Sequence, residues 1–355
     1  METLTVKGSP RKRGQMHGEH FKQAIHELFE IREQLLLQKL ETLSREEMRE
    51  KAREHLGPLK RVPDLHEEFM GISDAAGIDP IDLVLLNNYT DLRDFDPPKK
   101  ASAREEGCST FGIWASKTQI VGQTWDMHQS AEPFVFRLRV TGAGEPEPIE
   151  VFTIAGCLAL AGVNSKGLGV FINNLHSKEP VIGLMWPAVV RGLLQKGSVD
   201  EAIDFMHAHP PSAGHNYLLT DPKGFRNIEA SGARMKESGR LEERGSLYHT
   251  NHYLGELVAI ENTARISPTT HARFHGMENY FESNLESSMV DTMTIERAGR
   301  DLCSRNCVAN TCVIGTANDP HSGHTCGGLI FDTTTKAGVM FQGPYDDQRH
   351  VAFQL

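Results

Sequence analysis

The sequence predicts an α+β protein in which sheets are sandwiched between helices. Three observations lead there. Apolar residues recur at helical spacing through most of the first hundred positions. Short β-prone runs separated by turns take over at Cys108. Helices and strands then return in blocks, which build layered α+β architectures rather than alternating βα units.

Residues 1–10 predict a short strand, broken at Gly8-Ser9-Pro10. From Gly14 to about Leu43, Ile25, Leu28, Ile31, Leu35 and Leu36 predict a helix. A charged helix follows over 44–55, where Ser44 and Glu47 have the spacing of a capping box. Another runs from Pro63 to Ala76, and a fourth starts at Asp79-Pro80, proline being suited to a first helical turn. The polar stretch Asp94–Glu106 predicts an exposed linker. Strands are expected at 109–115, 119–125, 134–140, 149–155, 158–163 and 168–174, with turns at Gly142-Ala143-Gly144 and Lys166-Gly167. Helices are expected over Met185–Lys196 and Ser198–His207, then strands at 215–220, 225–230 and 246–250. Helices over Thr269–Glu282 and Met289–Cys303 precede closing strands at 311–316, 327–333 and 337–342.

The chain has 355 residues, long enough for one large domain or two intimate ones, and a formal charge of −10. That charge and the lack of a basic stripe argue against a nucleic-acid partner. No apolar run approaches the ~20 residues of a membrane span, and the start of the chain lacks a signal peptide's apolar region, so a cytoplasmic protein is expected. The six cysteines are too sparse for a secreted disulfide framework. Cys303 and Cys307 with His321 and His324 resemble zinc ligands only weakly, and buried thiols explain them better.

Gly107-Cys108, at the head of an apolar run, points to a particular chemistry. Cleavage before Cys108 would leave an N-terminal cysteine that carries its own base, because an α-amine titrates near ~8 and can activate an adjacent nucleophile. Gly107, lacking a Cβ, would let the sulfur approach the preceding carbonyl. A strand that starts with a small buried thiol is the plain alternative. Asp126 follows at the far end of the next strand, where a hairpin would return its carboxylate to Cys108. Asn251, in His249-Thr250-Asn251-His252, offers an amide donor for an oxyanion. His249 and His252 leave a papain-like Cys–His arrangement open.

In this order and spacing the segments resemble a known family: the acyl-coenzyme A:6-aminopenicillanic acid acyltransferases and β-alanyl-amine hydrolases, cysteine N-terminal-nucleophile (Ntn) hydrolases. The similarity is carried by Gly8-Ser9-Pro10…Gly14…His17-Gly18, Glu67–Ile72, Leu83–Asn88, Gly107–Thr110, Gly122–Asp126, Ala161–Val170 and His249–His252. It implies a four-layer αββα sandwich, split by autoproteolysis after Gly107 into a mainly helical α subunit, 1–107, and a β subunit, 108–355, held together as a heterodimer. It also implies Cys108 as nucleophile, Asp126 steadying its amine and Asn251 in the oxyanion hole. Ser231, His252 and Trp125 are the candidates for touching a small amide or acyl-thioester substrate, and neither cofactor nor metal is implied. The family's Ser-Arg pair has no arginine in the matching stretch His321–Cys326. Arg265 and Arg273 are expected on a helix surface, so acyl transfer gives way to hydrolysis of a small N-acyl or β-aminoacyl amide. An acyltransferase on the same site and a non-catalytic binding protein are the alternatives.

Overall fold

Cys108 lies at the edge of the space between two stacked sheets. The computed structural model describes residues 1–38, 40–96, 107–116, 118–142, 148–286 and 289–355. Most of the expected linker, 97–106, and Ala143 and Gly144 of the expected turn lie outside them. In chain order the strands are β1 (Glu2–Lys7), β2 (Gly107–Trp114), β3 (Gln119–His128), β4 (Val135–Thr141), β5 (Ile149–Ile154), β6 (Ala161–Asn164) and β7 (Gly169–Asn174). They continue with β8 (Gly214–Asp221), β9 (Gly224–Ser231), β10 (Met235–Leu241), β11 (Gly245–His249), β12 (Gly323–Asp332), β13 (Ala337–Gln342) and β14 (His350–Gln354).

One sheet runs β1-β4-β5-β6-β7-β8-β9-β10 and the other β11-β2-β3-β12-β13-β14. Neighbours are antiparallel except β1 and β4, which pair in parallel with Glu2 opposite Phe136. The inner faces meet where Trp125 of β3 packs edge-on against Phe152 of β5, ring centres 6.2 Å apart. On its outer face the six-stranded sheet buries Phe111, Ile113, Ile330 and Phe341 against Met277 and Phe281 of the helix Thr270–Glu286. Leu194, at the end of the helix Trp186–Leu193, packs on Gly162 of the other sheet. The four layers are helix, sheet, sheet, helix, as expected. β3 is buried at all ten positions although Gln119, Gln123, Thr124, Asp126 and His128 are polar, so the space between the sheets carries polar side chains as well as apolar ones.

The N-terminal helices obey the expected local rules, with one exception. Ser44 and Glu47 form both halves of the capping box, Asp79 caps the helix Pro80–Asn87, and Gly77 ends Pro63–Ala76 with φ 71°. The single helix expected from Gly14 is instead two, Pro10–His20 and Lys22–Leu37. Phe21 breaks it by leaving helical geometry (φ −106°, ψ 21°) and packing its ring on Phe136 of β4, 4.2 Å away.

Helices Pro10–His20 and Pro63–Ala76 cross in contact, because a Cβ on Gly14 would strike the Glu68 carbonyl. Beside the crossing, buried Glu68 accepts from Arg13 Nε at 3.4 Å and from Arg191 Nε and Nη2 at 3.1 and 3.0 Å. Glu68→Gln keeps the size but leaves two buried guanidinium charges facing a neutral amide. We expect it to destabilise the fold by about 3–5 kcal/mol, read from the denaturant midpoint.

Other differences have local causes. Residues 311–316 form no strand, because side chains take up their backbone groups: Thr311 N–H donates to Cys307 Sγ and Val313 N–H to Thr325 Oγ1. Over 289–303 only short turns form, with α-helix confined to Ile295–Ala298. The strands β10 and β14 were not expected. Among the described residues no helix is long and apolar enough to cross a membrane.

Candidate active site

The hairpin of β2 and β3 sets Gly107 opposite Asp126 and Cys108 opposite Trp125. The expected return of the carboxylate therefore occurs, across the strand pair itself. On the other side of β3, a bulge in β12 between Thr325 and Gly327 turns Thr325 toward Asp126, and its hydroxyl donates to Asp126 Oδ1 at 2.6 Å. Asp126 Oδ2 is buried with no hydrogen-bond partner among the described residues. Burial pushes the Asp126 carboxyl up to about 6, against the opposing pull of the Arg273 cation and the Thr325 hydroxyl.

Cys108 is held from both sides of its backbone. Its N–H donates to Asn251 Oδ1 at 2.8 Å. Its carbonyl accepts from Asn173 Nδ2 at 3.0 Å and Arg273 Nη1 at 2.8 Å. Burial, then the nearby Asp126 charge, pushes the thiol up to about 12, while Arg273 and backbone N–H groups of Asp126 and Asn174 pull the other way. Such a thiol attacks nothing at neutral pH until a neighbouring base takes its proton.

Asn251 follows β11, which pairs with β2 so that His249 faces Thr110. Two donors converge on its Oδ1, the Cys108 N–H and Arg273 Nη2 at 2.6 Å. Its Nδ2 donates to the Asn174 carbonyl at 2.9 Å. Asn251 thus meets Cys108 as expected, but presents its oxygen rather than its NH₂. Any Cβ at Gly107 would lie within 2.5 Å of Arg273 Nη2 and also strike Asn251 Oδ1, so glycine is what lets these two side chains close on the Cys108 backbone.

The remaining sequence candidates divide. Trp125 lines the cavity described below. Ser231 does not; its Oγ accepts from the Arg234 N–H at 3.2 Å in the turn after β9. His252 also lies off the cavity wall, its ring 4.3 Å from that of His271 and its Nδ1 beside the Thr250 and Thr270 hydroxyls. Burial, then the neighbouring His271, pushes its ring down to about 3. His249 uses both ring nitrogens, on the Thr250 carbonyl at 2.8 Å and Glu229 at 2.9 Å. Neither histidine is placed to serve Cys108.

Arg265 and Arg273 correct the expectation of a helix surface, since both are buried. Arg273 begins the stripe Arg273, Met277, Phe281, spaced by four and facing the sheet. That register was visible in the sequence and marked Arg273 as inward-facing. Arg265 sits in a short turn, for which spacing offers no such signal.

A partly enclosed cavity lies above Cys108. Cys108, Asp126 and Asn174 stand at its reactive end. Trp125, Met127, Ile172 and Trp186 supply apolar wall, and Arg93, Arg265, His176 and His215 are among the polar residues of the lining. Apolar walls with a few convergent polar groups are the usual make-up of a small-molecule site.

The model of the acyl-coenzyme A:6-aminopenicillanic acid acyl-transferase family matches residues 115–311, more than half the chain. The chain belongs to this family. The matched span contains Asp126, Asn251 and Arg273, whereas Cys108 lies just before it. Within the family, the 40 kDa form of acyl-coenzyme A:6-aminopenicillanic-acid-acyltransferase of Emericella nidulans is 25% identical over 294 residues, covering 80% of this chain and 79% of that one. Among solved structures, a single-residue variant of conjugated bile acid hydrolase from Clostridium perfringens superposes with a TM-score of 0.47 at 12% identity, covering 70% of this chain and 92% of that one. Penicillin V acylase from Agrobacterium tumefaciens gives 0.35 at 14% identity, covering 66% and 82%.

Proposed function

We propose that this acyltransferase-family member is a self-processing cysteine hydrolase of small N-acyl amides. The observation that carries this is the setting of Cys108: its backbone nitrogen is gripped by Asn251 Oδ1, and the unpartnered Asp126 Oδ2 stands in the same buried pocket. In the uncut chain, Asp126 takes the thiol proton and the sulfur attacks the Gly107 carbonyl. Asp126 returns the proton to the Cys108 nitrogen as the Gly107 C–N bond breaks, leaving a thioester, and water then releases the Gly107 carboxylate and restores the thiol. Residues 1–107 and 108–355 remain as a non-covalent pair, and Cys108 gains a free α-amine.

That amine becomes the base for turnover. It takes the thiol proton, the sulfur adds to the amide carbonyl, and the departing amine leaves with the proton from the α-ammonium. Asn251 Oδ1 holds the amine in line, and Asp126 balances its charge. With Asn251 Nδ2 given to the Asn174 carbonyl, the oxyanion falls to the cavity-lining amide of Asn174 and a backbone N–H. Water resolves the thioester. Family membership favours a second outcome at this step, in which an amine takes the acyl group in place of water.

Acid quenching during turnover should trap an acyl group on the fragment that begins at Cys108. An active preparation that shows no such adduct would overturn the proposal. Gly107→Ala is expected to slow self-cleavage at least ~10-fold with Cys108 intact, because the methyl displaces Asn251 and Arg273. Gel analysis of freshly made protein over time reads this directly.

A further inference from the structure

Cys307 and Cys312 are free thiols five positions apart on one loop. The chain turns back at Asn310, whose N–H donates to the Cys307 carbonyl at 3.0 Å and whose φ is 51°. Asparagine adopts that left-handed geometry more readily than most residues. The turn aims the next two backbone N–H groups at one sulfur. Thr311 N–H donates to Cys307 Sγ at 3.3 Å, and the Cys312 N–H donates to it as well. Successive N–H groups set in this way form a nest for an anion, and here a sulfur sits in the nest. The Thr311 hydroxyl lies 3.3 Å from the same atom.

Cys312 completes the arrangement. Its Sγ is within hydrogen-bonding reach of Cys307 Sγ and 2.9 Å from the Cys303 carbonyl. The Cys312 thiol's hydrogen bond, against the cost of burial, holds the Cys307 thiol down to about 6, and the same contact pushes Cys312 well above the usual range. Burial pushes Cys157 up to about 11 and Cys303 and Cys326 well above the usual range. Among charged groups, Asp126 bears on both thiols and Arg273 on Cys312. Cys307 is 8% exposed, and Cys312 lines a surface pocket with Asn310, Val313 and Ile314, so a small oxidant has a way in. His324, a weak zinc candidate in the sequence, instead accepts the Gly315 N–H on Nδ1 and has Nε2 on Glu132 at 3.2 Å.

From this geometry we infer that Cys307 and Cys312 form a peroxide-sensitive pair, Cys307 being the thiolate that is oxidised first and Cys312 the thiol that closes the disulfide. The Cys307 sulfur attacks one oxygen of hydrogen peroxide. An S–O bond forms, the O–O bond breaks, and the departing hydroxide takes up a proton to leave as water. The sulfur is now a sulfenic acid. Cys312 then gives up its proton and attacks that sulfur; an S–S bond forms, the S–O bond breaks, and a second water leaves. Two thiols and one peroxide thus become one disulfide and two waters. A stabilised thiolate beside a second thiol is the usual make-up of a redox-responsive site. The pair does not depend on the amide chemistry at Cys108, although it lies close to it: Val313 N–H donates to Thr325 Oγ1 at 3.0 Å, and that hydroxyl donates to Asp126.

Graded hydrogen peroxide on the native, fully reduced protein tests this. Remaining thiols are then blocked with N-ethylmaleimide, and peptide mass mapping with fragmentation locates what has formed. Among cysteines other than Cys108, a disulfide between Cys307 and Cys312 should appear first, at least ~10-fold faster than the thiols of Cys157, Cys303 or Cys326 are lost. Dithiothreitol should reverse it. In Cys312→Ser the sulfenic acid should persist on Cys307 and be captured there by dimedone, whereas Cys307→Ser should leave Cys312 reduced at the same dose. The wild-type mapping decides the pairing even if a serine variant fails to fold. A first disulfide through Cys303 or Cys326 would overturn the inference. So would Cys307 and Cys312 remaining free while the buried thiols are consumed, or Cys307 oxidised beyond the sulfenic acid with Cys312 still free.

Discussion

Replacing Cys108 by alanine is expected to leave one polypeptide of 39.5 kDa in denatured protein, where the wild type yields two, residues 1–107 and 108–355. The thiol is the only atom at this position able to form the thioester through which the Gly107–Cys108 bond opens, and alanine keeps the fold around it. Amide turnover should fall with it by at least ~10³-fold, the scale of losing a nucleophile that acts as a unit with its base. Intact mass spectrometry of both proteins decides the matter. A wild type that stays whole yet hydrolyses amides would rule out the N-terminal amine and require another base. A wild type both whole and inert would fit a binding protein on the same scaffold.

In Asp126→Asn, two observables should move in opposite directions along the same pH axis. Wild-type self-cleavage should quicken as pH rises through about 6 and then level off, because only the ionised carboxylate accepts the thiol proton. The asparagine variant keeps the Thr325 contact but has no base, so it should cleave at least ~10²-fold more slowly and lose that step. Stability runs the other way. Asp126 has a folded-state pKa above that of an unfolded aspartate, so between pH ~4 and ~6 the native state binds more protons, and stability falls as pH rises. The penalty is complete above about 6 and is on the order of 3 kcal/mol. The asparagine variant escapes it and should melt higher at pH 7 than the wild type, with the gap closing toward pH 4. A variant that melts lower at pH 7 would show Asp126 to be held by contacts that the asparagine cannot reproduce.

What the sequence revealed depended on how local the cause was. Ser44 with Glu47, Pro63 and Asp79-Pro80 act over three or four residues, and each produced the expected helix start. The meeting of Cys108 with Asp126 was legible because one hairpin makes it. The break at Phe21 was not, since its cause is a ring of β4 more than a hundred positions away. Residues 311–316 look like a strand by composition, yet thiol and hydroxyl groups capture their N–H donors. Arginine is ordinarily a surface residue, which hid Arg93 and Arg265. Ser231 and His252 stand close to the right segments in sequence, but their side chains serve the turn and the loop that carry them.

The parallel pairing of β1 with β4 bears on when chemistry at Cys108 can begin. A ribosome releases Glu2 early, but its partner Phe136 emerges far later, and Asn251 and Arg273, which grip the Cys108 backbone, later still. Contacts this distant along the chain form late in folding. A nascent chain long enough to contain Cys108 therefore still lacks the side chains that aim it. The gene's own order sets the delay: if the proposed self-cleavage occurs, the sulfur stays idle through most of translation, and the front third is not severed before the rest exists to hold it.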